Sequence, residues 1–205
     1  MAEKKTERDD AEPADRADVN TRVRRSKEAV LTVTLRLMFE EGIGGVSVDE
    51  VARRSGVAKT TIYQHWPSRS ALLVDACSRL SSKPEVPDTG SLRGDLAALA
   101  GRLAEQLETA RWPTVLPSMI DAAERDPEIA ATYARLRSGF SSPYGPVIER
   151  ARKRGEVART QDVSEVVAAI VGPLFYRRWF SREPLDKKFV KGVIDGTLAR
   201  LKPKI

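Results

Sequence analysis

The chain has 205 residues, of which 41% are hydrophobic and 31% charged, so it can build a sizeable core and is not wholly disordered. Its formal net charge of +6 permits an anionic partner without requiring one. One Cys and one His exclude a disulfide framework and the common zinc sites. No apolar run approaches the roughly 18 residues of a membrane span, and the N-terminus lacks the apolar stretch of a signal peptide. We expect a cytoplasmic protein with no metal or other cofactor.

The first twenty residues differ from the rest of the chain. Residues 1–20 contain one Val and no Leu, Ile or aromatic residue, and acidic residues outnumber basic ones by seven to four. They cannot bury enough apolar surface to offset their conformational entropy, so we predict a disordered arm. Positive charge is densest over residues 21–70, which carry nine basic and five acidic residues.

Helical periods begin after the arm and continue almost to the end of the chain. Alternating β-branched runs bounded by turns do not occur, so we predict an all-α fold of about nine helices. The first helix spans about 21–41 and ends at Gly42. Ser47 and Glu50 form a capping box that opens a short second helix, and Gly56 ends that helix.

Two further short helices follow. The third is predicted over about 58–66 and is stopped by Pro67, and Ser68 caps a fourth helix that runs to about residue 81. Two short helices joined by a glycine turn and preceded by a longer helix make a helix-turn-helix. We place this domain at residues 21–67, with its motif at 47–66.

The third helix has one apolar and one polar face. Ile62 and Trp66 stand four residues apart, so both can dock on the first two helices. The opposite face carries short polar or basic side chains: Lys59, Thr60, Thr61 and Gln64. Such side chains can approach base edges and phosphates, and a helix of this kind fits the major groove of DNA.

Three runs of residues carry a specific resemblance. They are Val48-Asp49-Glu50-Val51-Ala52, Ser55-Gly56-Val57 and Ile62-Tyr63-Gln64-His65-Trp66-Pro67-Ser68-Arg69. Together with the order of the helices, they resemble the DNA-binding region of the TetR family of transcriptional repressors over about residues 24–84. Trp66 stands where the family usually has Phe, and Arg69 stands where Lys is commonest.

The resemblance implies an all-α homodimer that binds a palindromic operator, each protomer placing the third helix in one major groove. The family's phosphate-contacting roles fall on Ser47, Tyr63, His65 and Arg69. Its base-facing roles fall on Lys59, Thr60, Thr61 and Gln64. The alternative to a phosphate contact by His65 is that this residue is simply a partly exposed side chain at the end of the third helix. Three arginines at the start of the first helix are equally expected to be solvated or to contact phosphate or the minor groove: Arg22, Arg24 and Arg25.

The C-terminal part, residues 68–205, is predicted to be a ligand-binding and dimerisation domain. A linker with two prolines and a glycine covers residues 83–90. Six helices follow, at about 91–110, 113–125, 128–139, 143–154, 162–181 and 186–201. The basic run within residues 150–154 favours a solvated helix end over a second nucleic-acid patch. Cys77 is the one cysteine and lies on the apolar side of a predicted helix, so we expect it to pack in the core without reacting and not to act as a redox sensor.

Helix breaks near Pro113 and Pro143 leave room for a cavity in this domain. The candidate ligand contacts are aromatic and Met side chains near the breaks and one from a later helix: Trp112, Met119, Phe140, Tyr144 and Phe175. Most other aromatic residues are expected in ordinary core or interface. Charged residues are sparse among the candidates, which favours a largely apolar ligand.

The last two helices carry apolar stripes that are broader than one small domain normally buries. A symmetric four-helix interface with a second copy would cover them. The residues assigned to this interface are Val167, Ile170, Val171, Leu174, Val190, Ile194 and Leu198.

We predict a sequence-specific DNA-binding regulator, a repressor released from its operator by a small molecule. One alternative is a ligand-insensitive DNA-binding regulator, which a solid C-terminal core would favour. The other is a small-molecule-binding protein or enzyme with a structural helix-turn-helix. The sequence contains no G-x-S-x-G elbow, phosphate-binding glycine loop, nucleotide fingerprint or metal cluster. The chain has one His and one Cys, so it lacks the catalytic residues that most acid–base and thiol mechanisms need, and we do not expect an enzyme.

Overall fold

The computed structural model describes residues 13–79 and 85–201. These ranges contain helices and no strand, which confirms the all-α prediction. The ten α-helices are α1 (Pro13–Gly45), α2 (Val48–Ser55), α3 (Lys59–His65), α4 (Arg69–Ser78), α5 (Leu92–Thr109), α6 (Trp112–Ala123), α7 (Pro127–Ser141), α8 (Tyr144–Lys153), α9 (Val163–Tyr176) and α10 (Lys187–Leu201). One π-helical turn, Arg177–Ser181, continues α9. Within the described ranges, each helix is too short or too polar to cross a membrane.

The first helix begins earlier than predicted. It starts at Pro13, inside the segment predicted to be a disordered arm, and residues 1–12 of that arm lie outside the described residues. Proline suits the first position of a helix, where its missing N–H has no partner to lose. Gly42 interrupts the helix as expected, because its φ of 72° is not helical.

The first compact unit extends beyond the predicted domain boundary at residue 67. It ends at Ala76, and the second unit begins at Cys77. The indole Nε1 of Trp66 donates to Asp75 Oδ2 at 2.9 Å, and Arg69 Nε donates to the carbonyl of Val46 at 2.6 Å. These two bonds tie the first turns of α4 to the helix-turn-helix, so most of α4 belongs to that unit.

The core of the second unit is built by α5, α8, α9 and α10. Their buried side chains include Leu96, Ile148, Ile170, Leu174 and Ile194. The helices α6 and α7 pack on each other as a hairpin. Five of the six helices match their predicted bounds to within two residues, because prolines, glycines and capping Asp and Ser residues mark the ends locally. The helix predicted over 162–181 is α9 followed by the π-helical turn, since α9 itself ends at Tyr176.

This packing corrects part of the predicted dimer interface. Ile170, Leu174 and Ile194 are 0%, 0% and 2% exposed within one protomer, so a second copy cannot reach them. Val167 and Val171 line a cavity, and two further predicted residues, Val190 and Leu198, are half-buried against the core. The predicted apolar stripes on α9 and α10 are present. Contacts among α5, α8, α9 and α10 within one protomer cover much of them.

A buried carboxylate fastens the non-helical segment before α5. Asp95 is fully buried and accepts hydrogen bonds from Thr89 N at 2.7 Å and Thr89 Oγ1 at 2.9 Å. Arg150 of α8 lies 3.4 Å from the same carboxylate and also donates to the carbonyl of Pro87. The basic run at 150–154 is therefore not simply a solvated helix end, because Arg150 holds residues 87–89 against α5 and α8. Residues 83 and 84 of the predicted linker lie outside the described residues.

Candidate nucleic-acid interface and cavity

The turn between α2 and α3 follows from local capping. Ser47 Oγ accepts from Glu50 N at 3.1 Å, and Gly56 ends α2 in the left-handed region with φ 70°. The carboxylate of Glu50 does not complete the capping box. It binds Arg53 and Arg54, and these hydrogen bonds, that from Arg53 above all, lower the pKa of Glu50 to about 2. The Ser47 half of the predicted cap is confirmed.

The buried face of α3 is the predicted one. Ile62 and Trp66 are 1% and 4% exposed. The Trp66 ring is larger than the Phe usual at this position and carries an indole N–H that needs a hydrogen-bond acceptor. Asp75 on α4 accepts that hydrogen bond. Asp75 was not predicted as the partner of Trp66, because it lies on α4 and the contact depends on how that helix packs.

The outer face of α3 presents most of the predicted contact residues to solvent. Lys59, Thr60, Tyr63 and Gln64 are exposed, whereas Thr61 and His65 are half-buried. Thr60 and Gln64 are four residues apart and therefore share one face. We expect this pair to meet base edges, with Thr61 at the margin of the surface.

Lys59 has a partner on the preceding helix. Its ammonium forms an ion pair with the carboxylate of Asp49, and this hydrogen bond raises the pKa of Lys59. The side chains of Lys59 and Asp49 remain 49% and 73% exposed. Lys59 therefore stays charged and can exchange the carboxylate for a phosphate. Asp49 places one negative charge on the surface that would meet DNA.

Two of the predicted phosphate contacts also serve the fold. Arg69 binds the carbonyls of Val46 and Ile43, which fastens the end of α1 to the start of α4. Ser47 caps α2 through its oxygen, and its own hydroxyl proton is not used in that bond. A guanidinium has five N–H donors, so Arg69 keeps capacity for a phosphate oxygen.

A cavity of about 850 Å³ lies in the second unit. All five predicted ligand contacts line it: Trp112, Met119, Phe140, Tyr144 and Phe175. One wall is the α6–α7 hairpin, and the opposite wall comes from α5, α8 and α9. From α9 the sequence predicted only Phe175 in the cavity, whereas Val167 and Val171, which also line it, were predicted at the dimer interface. A volume of this size is typical of small-molecule sites.

The cavity is mainly apolar and has aromatic side chains. The rings of Trp112 and Phe140 are 4.9 Å apart and tilted by 35°. Tyr144 is 3% exposed, and burial raises the pKa of its phenol to about 12, so the hydroxyl stays protonated. Cys77 is buried outside this lining, and burial raises the pKa of its thiol to about 12, which fits inert packing.

Comparison with known proteins identifies both parts of the chain. Residues 30–76 match the family of bacterial regulatory proteins named for TetR, and residues 86–197 match a tetracycline repressor-like C-terminal domain. The HTH-type transcriptional regulator YdeS of Bacillus subtilis is 31% identical over 82% of this chain and 85% of its own. The DNA-binding transcriptional repressor TetR of Mycobacteroides abscessus is 32% identical over 83% and 90%.

Solved structures agree with this assignment. The TetR family transcription regulator SCO0332 is 29% identical, with a TM-score of 0.62 over 87% of this chain and 99% of its own. The flavonoid-responsive regulator FrrA shares the fold, with a TM-score of 0.70 at 20% identity over 88% and 99%. These relatives are regulators rather than enzymes. The chain belongs to the TetR family and is a DNA-binding transcriptional regulator.

Proposed function

We propose that the protein is a homodimeric repressor that binds a palindromic operator through α3 and leaves it when a small, largely apolar molecule enters the cavity. The observation that carries this proposal is the presence, in one chain, of an exposed polar helix face and a cavity of about 850 Å³. The relative from Mycobacteroides abscessus, described as a repressor, supports the direction of control. An open cavity also argues against the ligand-insensitive alternative.

One helix supports a route from the cavity to the segment before α5. The first residues of α8, Tyr144 and Gly145, line the cavity, and Arg150 of the same helix binds Pro87 and Asp95. A ligand that displaces α8 would therefore pull on residues 87–89. It shifts the equilibrium only if it binds the displaced state more tightly than the DNA-bound state.

Lys59 provides the test of DNA binding. Replacing Lys59 with alanine is expected to weaken operator binding about tenfold and to flatten the slope of log affinity against log salt by about 0.9 per protomer, because one phosphate contact is lost. The measurement is fluorescence anisotropy of an operator fragment, obtained by genomic selection, across a salt series. Unchanged affinity and slope would contradict a phosphate contact by Lys59.

Asp49→Asn is the counterpart of the Lys59 substitution. It breaks the ion pair that holds Lys59 and removes a negative charge that would repel DNA phosphates. It is expected to tighten binding about threefold, since exposed ion pairs are weak. Asp121→Asn is the control, because Asp121 on α6 is also an exposed carboxylate and pairs with Arg125, which follows that helix. An equal gain from both variants would indicate net charge rather than the Lys59–Asp49 pair.

The dimer is proposed to form through the exposed faces of α9 and α10. Two exposed glycines of α10, Gly192 and Gly196, would permit close approach of a second copy. Tyr176 and Phe180 stack with ring centroids 5.7 Å apart, and they are 61% and 78% exposed. Large exposed aromatic side chains of this kind mark an interaction surface.

Phe180→Glu is expected to make the protein monomeric at about 10 μM, because a charge would be buried at the centre of the proposed interface. Sedimentation velocity measures this directly. Ile120→Glu is the control, since Ile120 is an exposed apolar residue on α6. A Phe180→Glu variant that remains dimeric would place the interface elsewhere.

A further inference from the structure

The chemistry of the cavity indicates which class of molecule it accepts, and this inference rests on the proposed role of the cavity as a ligand site. Its aromatic lining includes the Trp112–Phe140 pair, in which the two rings are tilted by 35°. The remaining lining is largely aliphatic, with Leu116, Met119 and Val167 among its members. It also includes four exposed or half-buried serines: Ser138, Ser141, Ser142 and Ser164. Aromatic rings pack well against other flat rings in offset or tilted arrangements.

Tyr144 supplies a polar group with no partner. Its side chain is 97% buried, since 3% of it is exposed, and the residue lines the cavity. No hydrogen bond to its hydroxyl occurs anywhere in the described ranges, residues 13–79 and 85–201. The hydroxyl oxygen is not among the enclosed atoms without a partner, so it is accessible from the cavity that the residue lines. Tyrosine hydroxyls in largely buried positions normally find a hydrogen-bond partner. A ligand in the cavity can supply that partner.

Charge is confined to the edge of the cavity. Arg137 and Asp162 are the charged residues among those that line it, and both are exposed. Nothing buried in the lining could pair with an ionised ligand, and an unpaired buried charge is very costly. Because the Tyr144 phenol stays protonated, it acts as a hydrogen-bond donor.

We propose that the cavity binds a flat, uncharged aromatic compound of two or three fused rings, in which an oxygen or nitrogen atom accepts a hydrogen bond from the hydroxyl of Tyr144. The rings pack against Trp112 and Phe140. Tyr144 and the hairpin residues belong to opposite walls, so such a ligand would bridge the α6–α7 hairpin and α8.

Four probes of similar size separate the elements of this proposal. Coumarin is flat, uncharged and carries a carbonyl acceptor, whereas naphthalene lacks the acceptor, octahydrocoumarin lacks the aromatic rings and 2-naphthoate is charged. Equilibrium dialysis against the full-length protein measures the affinity of each. The variants are Tyr144→Phe and, as the matched control, Tyr133→Phe, since Tyr133 also lines the cavity but is half-buried.

The wild-type protein is expected to bind coumarin more tightly than octahydrocoumarin or 2-naphthoate. Tyr144→Phe should weaken coumarin binding about tenfold, because one hydrogen bond is lost, and leave naphthalene binding unchanged. Tyr133→Phe should change neither affinity. The proposal is overturned if Tyr144→Phe affects both probes equally, if 2-naphthoate or octahydrocoumarin binds better, or if no probe binds at about 1 mM.

Operator binding is measured on the same preparations without probe. A protein that binds its operator but retains none of the probes contradicts the ligand class and leaves the DNA-binding function intact. Loss of operator binding with coumarin binding preserved would instead contradict the proposed function.

Discussion

Replacing Trp66 with alanine is expected to destabilise the first unit by about 3–5 kcal/mol, the usual cost of emptying a buried aromatic site. Trp66 is 4% exposed and is the last apolar anchor of α3. With it lost, the helix that carries Lys59, Thr60 and Gln64 has only Ile62 to hold it, so operator binding should disappear. Hydrogen–deuterium exchange of peptides within residues 30–76, with operator anisotropy alongside, measures both effects.

Two further variants separate folding from DNA contact. Trp66→Phe keeps a ring but removes the N–H that Asp75 accepts, so a smaller loss of about 1 kcal/mol is expected. Tyr63→Ala should leave exchange rates unchanged and still weaken operator binding, because Tyr63 is exposed on the outer face of α3. Wild-type exchange rates in Trp66→Ala would show that the indole does not anchor α3.

Replacing Asp95 with alanine is expected to destabilise the second unit by about 3 kcal/mol. The substitution removes a fully buried carboxylate that accepts from the two donors of Thr89 and from one N–H of Arg150. Residues 87–89 should then separate from α5 and α8. Urea unfolding followed by circular dichroism gives the loss in stability, and exchange of the peptide containing Thr89 locates it.

The stabilisation by Asp95 should depend on pH. Burial by itself raises the pKa of this carboxyl, but hydrogen bonds from Thr89 and Arg150 outweigh it and hold the pKa below its usual value. A group whose pKa is lower in the folded state stabilises the protein above its unfolded pKa and loses that contribution as the pH falls. The stability difference between wild type and Asp95→Ala should therefore stay level down to about pH 5 and shrink as the pH falls further, first through the unfolded pKa of about 3.9 and then through the lower folded pKa.

Asp195→Ala is the matched control for this measurement. Asp195 also pairs with two basic side chains, Arg93 and Lys191, but it lies on the surface of α10. Its removal is expected to leave the unfolding midpoint unchanged. Equal losses from Asp95→Ala and Asp195→Ala would contradict the role assigned to burial.

Local signals in the sequence determined most of the helix ends and which face of α3 is exposed for contact with DNA. Ser47 and Gly56 delimit α2 through bonds to residues three or four positions away, so their effect can be read without the fold. The spacing of Ile62 and Trp66 likewise sets which face of α3 turns outward. Four of the five cavity residues, all but Phe175, were found because prolines at positions 113 and 143 mark helix ends where packing is interrupted.

Tertiary structure alone decided which neighbour covers each apolar or charged side chain. A periodic stripe shows that Ile170 and Val167 lie on apolar faces of α9, but only packing shows that the first is core and the second borders a cavity. Asp95 and Arg150 are separated by 55 residues, and Arg69 reaches carbonyls more than 20 residues earlier. Such contacts depend on how helices cross in space, because residue spacing defines the face of one helix and carries no information about the element that packs on it.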